Sequence, residues 1–247
     1  MAKTTKSGVR VLDDFRDNLI IDRYDPVFAT MRGLKLRHLR SENSEDAVTW
    51  NVFRSLRQID PAVWLPELAR RGLQRKEPPP ADGTVLSLWL SVSPPPALLA
   101  GGDEGNSEID IAIESPFWVW FIETKYRSDI ETGTKTRPER DQVLRNIDVG
   151  SYYAGKRDFF FSLLVSSPVT SPVGAAKIDR YSDFAETQAL LQDHRPDHLA
   201  NLRGVTLLTW SDMAAVLTDA RNSIVRTDEQ QYAERALEWM QAKGLVE

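Results

Sequence analysis

The stretch Phe117-Trp118-Val119-Trp120-Phe121-Ile122 sets six apolar residues in a row, and Glu123-Thr124-Lys125 follows at once. Successive side chains of a β-strand point to opposite faces. A strand over residues 117–125 is therefore apolar on both faces for most of its length. Such a strand belongs in the middle of a sheet that is covered on both sides. The rest of the chain has to supply a layer for each face, which points to an α/β domain.

The neighbouring segments fit that architecture. Residues 84–93, with Val85, Leu86, Leu88, Leu90 and Val92, read as a strand, and so do residues 108–114. Ser115-Pro116 turns the chain between the second and third strands, so the three form a meander. Residues 94–106 read as a loop broken by Pro94-Pro95-Pro96 and Gly101-Gly102. Upstream, Ser44 caps a helix whose first turn holds Glu45 and Asp46 and whose Val48, Val52, Leu56 and Ile59 recur at helical spacing. A second short helix spans residues 61–73, and Pro78-Pro79-Pro80 is a stiff connector. Phe15, Leu19 and Ile20 suggest a short amphipathic helix near the start.

Downstream, residues 127–137 form a polar loop, and Pro138 opens a helix over residues 139–154. Strands follow at 158–166 and 204–210, a short helical stretch at 187–191, and helices at 211–217 and 227–243. Residues 1–40 read as an N-terminal extension and residues 41–247 as the main domain, best supported over 41–166.

Composition removes several function classes. The chain of 247 residues has no cysteine, which excludes disulfides, thiol catalysis and cysteine-ligated zinc. His38, His194 and His198 are its three histidines. The last two are four apart, but Pro196 between them breaks a ligand-bearing helix. No run approaches the roughly 18 apolar residues of a membrane span. Residues 1–11 lack the apolar stretch of a secretory signal, so a cytoplasmic protein is expected. Lys and Arg number 31 against 36 Asp and Glu, a net charge of -5. That balance argues against coating nucleic acid by bulk charge, but local patches and metals outweigh the sum. Arg32, Lys35, Arg37, His38 and Arg40 form one such basic segment, either solvated or contacting phosphate.

The chemistry gathers at the end of the third strand. Glu123 and Lys125 share the face of Phe117, Val119 and Phe121, so a carboxylate and an ammonium end an apolar strand face. They form either a structural ion pair or part of a working site. On the second strand, Asp110 and Ala112 face one way and Ile109, Ile111 and Ile113 the other. If the two strands are antiparallel neighbours, Asp110 approaches Glu123 across the ladder. Facing carboxylates repel unless a cation joins them, and Mg2+ prefers such oxygen ligands. The Thr124 carbonyl would add a neutral one. Glu45 heads the helical stripe of Val48, Thr49, Val52 and Leu56, although acids are common in first turns. Gln142, aligned with Arg145 and close to Asn146, suits anchoring a carboxylate or a metal-bound water, and Arg145 suits a phosphate.

In order and spacing, Ser44-Glu45, Glu108-Ile109-Asp110, Phe121-Ile122-Glu123-Thr124-Lys125 and Asp141-Gln142-Val143-Leu144-Arg145 resemble the PD-(D/E)XK nuclease superfamily. The resemblance covers about residues 41–166, and Ile109 stands where the nominal motif has proline. It implies a restriction-endonuclease-like core, a central mixed β-sheet flanked by helices. It also implies a metal-dependent endonuclease that hydrolyses phosphodiester bonds, in DNA by expectation. Glu45, Asp110, Glu123 and Thr124 would hold Mg2+, or Mn2+ in its place, and no organic cofactor is implied. Lys125 would orient or help deprotonate the attacking water, and Gln142 completes the catalytic set. Arg127, Lys135, Arg137 and Arg145 would contact nucleic acid. A homodimer or a place in a larger complex is compatible with it. The alternative is a catalytically inactive nucleic-acid-binding or assembly module with a nuclease-like fold.

Overall fold

The computed structural model describes residues 3–73, 79–100, 104–131, 133, 140–195, 197 and 199–246. In chain order the elements are β1 (Lys3–Thr4), β2 (Arg10–Val11), α1 (Val27–Thr30), α2 (Gly33–Leu39), α3 (Glu45–Leu56), α4 (Pro61–Gly72), β3 (Val85–Val92), α5 (Pro96–Ala100), β4 (Ser107–Glu114), β5 (Trp118–Thr124), α6 (Gln142–Ala154), β6 (Asp158–Val165), α7 (Pro172–Tyr181), α8 (Phe184–Leu191), β7 (Leu202–Thr209), α9 (Trp210–Ser223) and α10 (Thr227–Ala242). They group into two compact units, Met1–Trp64 with Met213–Glu247, and Leu65–Asp212.

The second unit is an α/β fold around a mixed five-stranded sheet flanked by helices, in the order β3-β4-β5-β6-β7. β3, β4 and β5 are antiparallel, as the meander requires, whereas β6 and β7 run parallel to β5. Parallel neighbours need a crossover, and α6 supplies it between β5 and β6, with α7 and α8 between β6 and β7. Every residue of β5 is buried, the outcome its unbroken apolar run demands. One face packs Val119, Phe121, Phe159, Phe161 and Leu163 against Val143 and Ile147 of α6. Gly150 lets that helix come close: a Cβ there would lie 2.2 Å from Phe159 Cζ. On the other face Trp120 lies against Gly72, and its indole N–H donates to Ser162 Oγ at 2.9 Å.

Several elements differ from the sequence expectation. Phe117 sits in the β4–β5 turn and is 67% exposed, because the Ser115 N–H closes that turn on the Trp118 carbonyl. α5 interrupts the expected loop of residues 94–106. α7 was not anticipated; Val173, Ile178 and Tyr181 give it a sparse apolar stripe. α9 runs to Ser223, well past residue 217. The expected helix start at Pro138 and Glu139 lies outside the described residues, as do Gly101 and Gly102; α6 begins at Gln142, with the Asp141 side chain accepting from Leu144 N–H.

The first unit is helical, with α3 packed on α10 and on α2. Phe15, Phe28 and Trp50 pack in series as tilted rings, with centroids 5.0 and 4.6 Å apart. Phe15–Asn18 form only a 3-10 turn, not the amphipathic helix expected from Phe15, Leu19 and Ile20. Tertiary bonds replace the helical ones: Asn18 donates to the Leu39 and Ser41 carbonyls, and Ile20 N–H donates to Asn51 Oδ1. Among the described residues no helix is long and apolar enough to cross a membrane.

Gly150→Ala tests the seating of α6. Helix propensity favours alanine by about 1 kcal/mol, but overpacking a filled core costs about 1–3 kcal/mol. The Phe159 ring leaves no room for relief, so a net loss of stability is expected in urea denaturation. A stabilised variant would contradict the close approach.

Candidate functional site

The β4–β5 ladder ends with Ile111 opposite Ile122, so the next position sets Asp110 against Glu123. There the backbone pairing gives way to a side chain: Asp110 Oδ2 accepts from both the N–H and the hydroxyl of Thr124, each at 2.9 Å. On its other side Asp110 faces Trp89. The β3–β4 register pairs Leu88 with Ile111 and Leu90 with Ile109, while the Trp89–Asp110 pair drops out. Trp89 takes a left-handed φ of +55°. That conformation costs a bulky residue about 1–3 kcal/mol, and such outliers cluster at working sites.

Glu123 is 3% exposed, and Lys125 is buried beside it. Glu123 Oε1 accepts from Lys125 Nζ at 2.8 Å and from Gln142 Nε2 at 2.5 Å, and Oε2 accepts from Asn146 Nδ2 at 2.9 Å. Gln142 and Asn146 lie four apart, on one helical face. Both turn their amide nitrogens to the carboxylate, since only a donor is favourable there. Their oxygens, together with Arg145 Nε one position along, are buried and have no hydrogen-bond partner. Native proteins pair nearly all such atoms. Along one face of α6, two amide oxygens and one guanidinium nitrogen are thus buried and unpaired.

α6 is fixed from both ends. Asp141 accepts from Leu144 N–H, from the Tyr181 hydroxyl at 2.6 Å and from Lys177 Nζ at 2.9 Å. Burial, reinforced by the Asp141 carboxylate, pushes the Tyr181 phenol up. Further along the helix, Asp148 is fully buried and meets Arg140 at 3.0 Å, His194 at 2.7 Å and Arg195 at 2.8 Å. Burial alone would raise the Asp148 carboxyl. His194 and the two guanidinium groups outweigh it and hold the group below the usual carboxylate range. His194 is thereby committed to this network, and His198 lies outside the described residues.

The structure therefore gathers Asp110, Glu123, Thr124, Lys125 and Gln142 at the end of the β4–β5 ladder, with Arg145 on the adjoining face of α6. Arg127 is exposed two residues beyond Lys125, its guanidinium 5.2 Å from the Tyr126 ring centre. Lys135 and Arg137 lie outside the described residues. Glu45 belongs to the first unit, in the first turn of α3 behind the Ser44 cap. Asn146, to which sequence reasoning gave no role, is the third donor to Glu123; its spacing from Gln142 is the signal that could have found it. Trp210 also escaped assignment. Its indole N–H donates to the Lys125 carbonyl at 3.0 Å and fixes the strand end, a contact that no local pattern announces.

The carboxylates of Asp110 and Glu123 are hard oxygen donors, of the kind that suits Mg2+ or Mn2+ rather than a soft metal. Among the described residues no group of three or more His, Cys, Asp or Glu side chains is placed to hold a metal ion. Comparison of the chain with protein-family models, with curated proteins and with solved structures gives no match.

Two outcomes are expected. Lys125→Met leaves the Glu123 carboxylate buried without its cation and costs about 3 kcal/mol in chemical denaturation; adding Glu123→Gln recovers part of that loss. Asp148 has a folded pKa below its unfolded value of about 3.9, so its stabilisation is complete above that pH and is lost as pH falls through the folded value. Asp148→Asn is expected to destabilise the chain at neutral pH, by leaving Arg140 and Arg195 short of an anion, and to flatten the acid limb of the stability profile. An acid limb as steep as the parent's would contradict this.

Proposed function

We propose that the second unit is a nucleic-acid-binding or assembly module on a nuclease-like core, with the end of β5 and the adjoining face of α6 turned to the phosphate backbone. The observation that carries this reading is the buried, unpartnered Arg145 Nε beside the amide oxygens of Gln142 and Asn146. Arg145 Nε has no internal acceptor, and a guanidinium suits phosphate oxygens through its several N–H donors. Arg127 adds a second cation just beyond the same strand. Both oxygens of Glu123 are already engaged by three side chains, which suits a docking surface held in shape by its own bonds.

A second reading, metal-dependent phosphodiester hydrolysis, is favoured by the position of Asp110 opposite Glu123 at the ladder end. Asp110, Glu123 and the Thr124 carbonyl would hold Mg2+ or Mn2+. The metal would supply Lewis-acid activation of water and neutralise phosphate charge. Of the chain's own groups, Lys125 Nζ would orient the attacking water, Gln142 would hold the Glu123 carboxylate in place, and Arg145 would bind the neighbouring phosphate.

One preparation distinguishes the two. Labelled duplex and single-stranded DNA and RNA are titrated with the full chain at several salt concentrations, with and without Mg2+, and product is followed in parallel. Arg145→Ala is expected to weaken binding on every sequence and to lower the salt slope by about one. Binding without cleavage supports the module. Cleavage that EDTA stops and that Asp110→Ala and Lys125→Ala abolish supports the hydrolase. An affinity insensitive to salt and to Arg145→Ala would end both.

A further inference from the structure

The loop that follows Lys125 is tied down by one carboxylate. Asp129 Oδ1 accepts from the backbone N–H groups of Ile130 at 2.8 Å and Gly174 at 2.9 Å, and Oδ2 accepts from Val173 N–H at 2.9 Å. Val173 and Gly174 lie in the first turn of α7, where N–H groups have no partner within the helix and the helix dipole favours an anion. The Ser171 hydroxyl adds a bond to the Ser128 carbonyl at 3.0 Å. Gly174 makes the approach feasible: a Cβ there would fall 2.6 Å from Leu163 Cδ2 and 3.1 Å from Asp129 Oδ1. Leu163 is the residue paired with Glu123 between β6 and β5. The clamp is thus built onto the strand position that carries the central carboxylate.

Between Lys125 and this clamp stands Arg127, exposed and in a left-handed conformation with φ +57°. Arginine avoids that region unless its surroundings impose it. Lys125 is fixed on one side, its N–H on the Leu164 carbonyl and its carbonyl on Trp210. Asp129 is fixed on the other. Three residues between two anchored ends leave the backbone at Arg127 little choice.

The geometry points to Asp129 as a positioning residue: by occupying the start of α7 it imposes the left-handed turn at Arg127 and so directs that guanidinium at a phosphate of the bound nucleic acid. Asp129 does not itself meet the phosphate. The inference rests on the nucleic-acid reading given above. Asp129→Asn replaces one acceptor oxygen with a donor that faces a backbone N–H, which releases the clamp with little change in size.

The test uses the full chain and two readouts. In the first, affinity for the labelled duplex and its single strand is measured across salt concentrations for the parent, Asp129→Asn, Arg127→Ala and the double variant. Arg127→Ala is expected to lower the salt slope by about one. Asp129→Asn is expected to do the same, and to cause no further loss once Arg127 is gone. A merely structural role would instead add its loss to that of Arg127→Ala. In the second readout, limited trypsin digestion at Arg127 is expected to speed up several-fold in Asp129→Asn, with or without nucleic acid. Gly174→Ala, which crowds the clamp from α7, should reproduce both effects and serves if Asp129→Asn does not fold. An unchanged salt slope, or a loss that persists undiminished in the double variant, overturns the positioning role. A parent chain that binds no nucleic acid overturns the nucleic-acid reading and the phosphate role with it, while faster cleavage at Arg127 would still establish the clamp.

Discussion

A carboxylate held out of water needs donors, and the Glu123 carboxylate dictates much of what surrounds it. An ionised group at 3% exposure is tolerable only when charge and hydrogen bonds replace its hydration. Lys125 supplies charge from the same strand, two residues on, and two further donors come from α6. Gln142 and Asn146 reach it only if that helix lies at one height and one rotation over the sheet. The Asp141 cap sets the height, the Asp148 network anchors the far half of the helix, and Gly150 sets the distance from Phe159. Each of these residues is remote from Glu123 in sequence, and each acts on the same helix.

Carboxylates recur in this framework as structural pins. Asp110 closes the β4–β5 ladder on Thr124, Asp141 joins α6 to α7, and Asp129 joins the loop after β5 to the start of α7. A short acid that accepts two or three N–H or O–H bonds fixes backbone more firmly than an apolar contact, because hydrogen bonds are directional. The net charge of -5 therefore says little about what the unit can bind: several of its negative charges are turned inward, while Arg127 and Arg145 stand near the end of the central strand.

The two left-handed residues of this region flank the same strand end. Trp89 stands opposite Asp110, and Arg127 follows Lys125 by two positions. Neither is a glycine, so the surrounding bonds must offset the cost of each conformation. Strain is thus held on both sides of the buried Glu123–Lys125 ion pair, while at the opposite end of the sheet Glu114, Tyr153 and Arg157 form a partly exposed cluster.

The central strand was legible because an apolar run with period two allows only one environment, a strand covered on both faces. The antiparallel meander followed from the short turn at Ser115-Pro116, and the shared face of Glu123 and Lys125 from simple alternation. The caps at Ser44 and the helix of Val48, Val52 and Leu56 were written in local chemistry as well. What the chain alone did not disclose depends on residues brought from afar. Asn146 becomes a ligand of Glu123 only once α6 is seated, Trp210 reaches Lys125 across 85 positions, and Asp129 finds its partners 44 and 45 residues away. α7 has too few apolar residues to be read from periodicity, and the turn at Phe15–Asn18 is set by side chains of Asn18 and Asn51 rather than by its own pattern. For the central strand, the meander and the helix behind Ser44, local sequence determined the element and the face each side chain takes, because those depend on neighbours within a turn or two. Tertiary structure decided which buried polar atoms meet, because desolvated charges choose partners by distance in space.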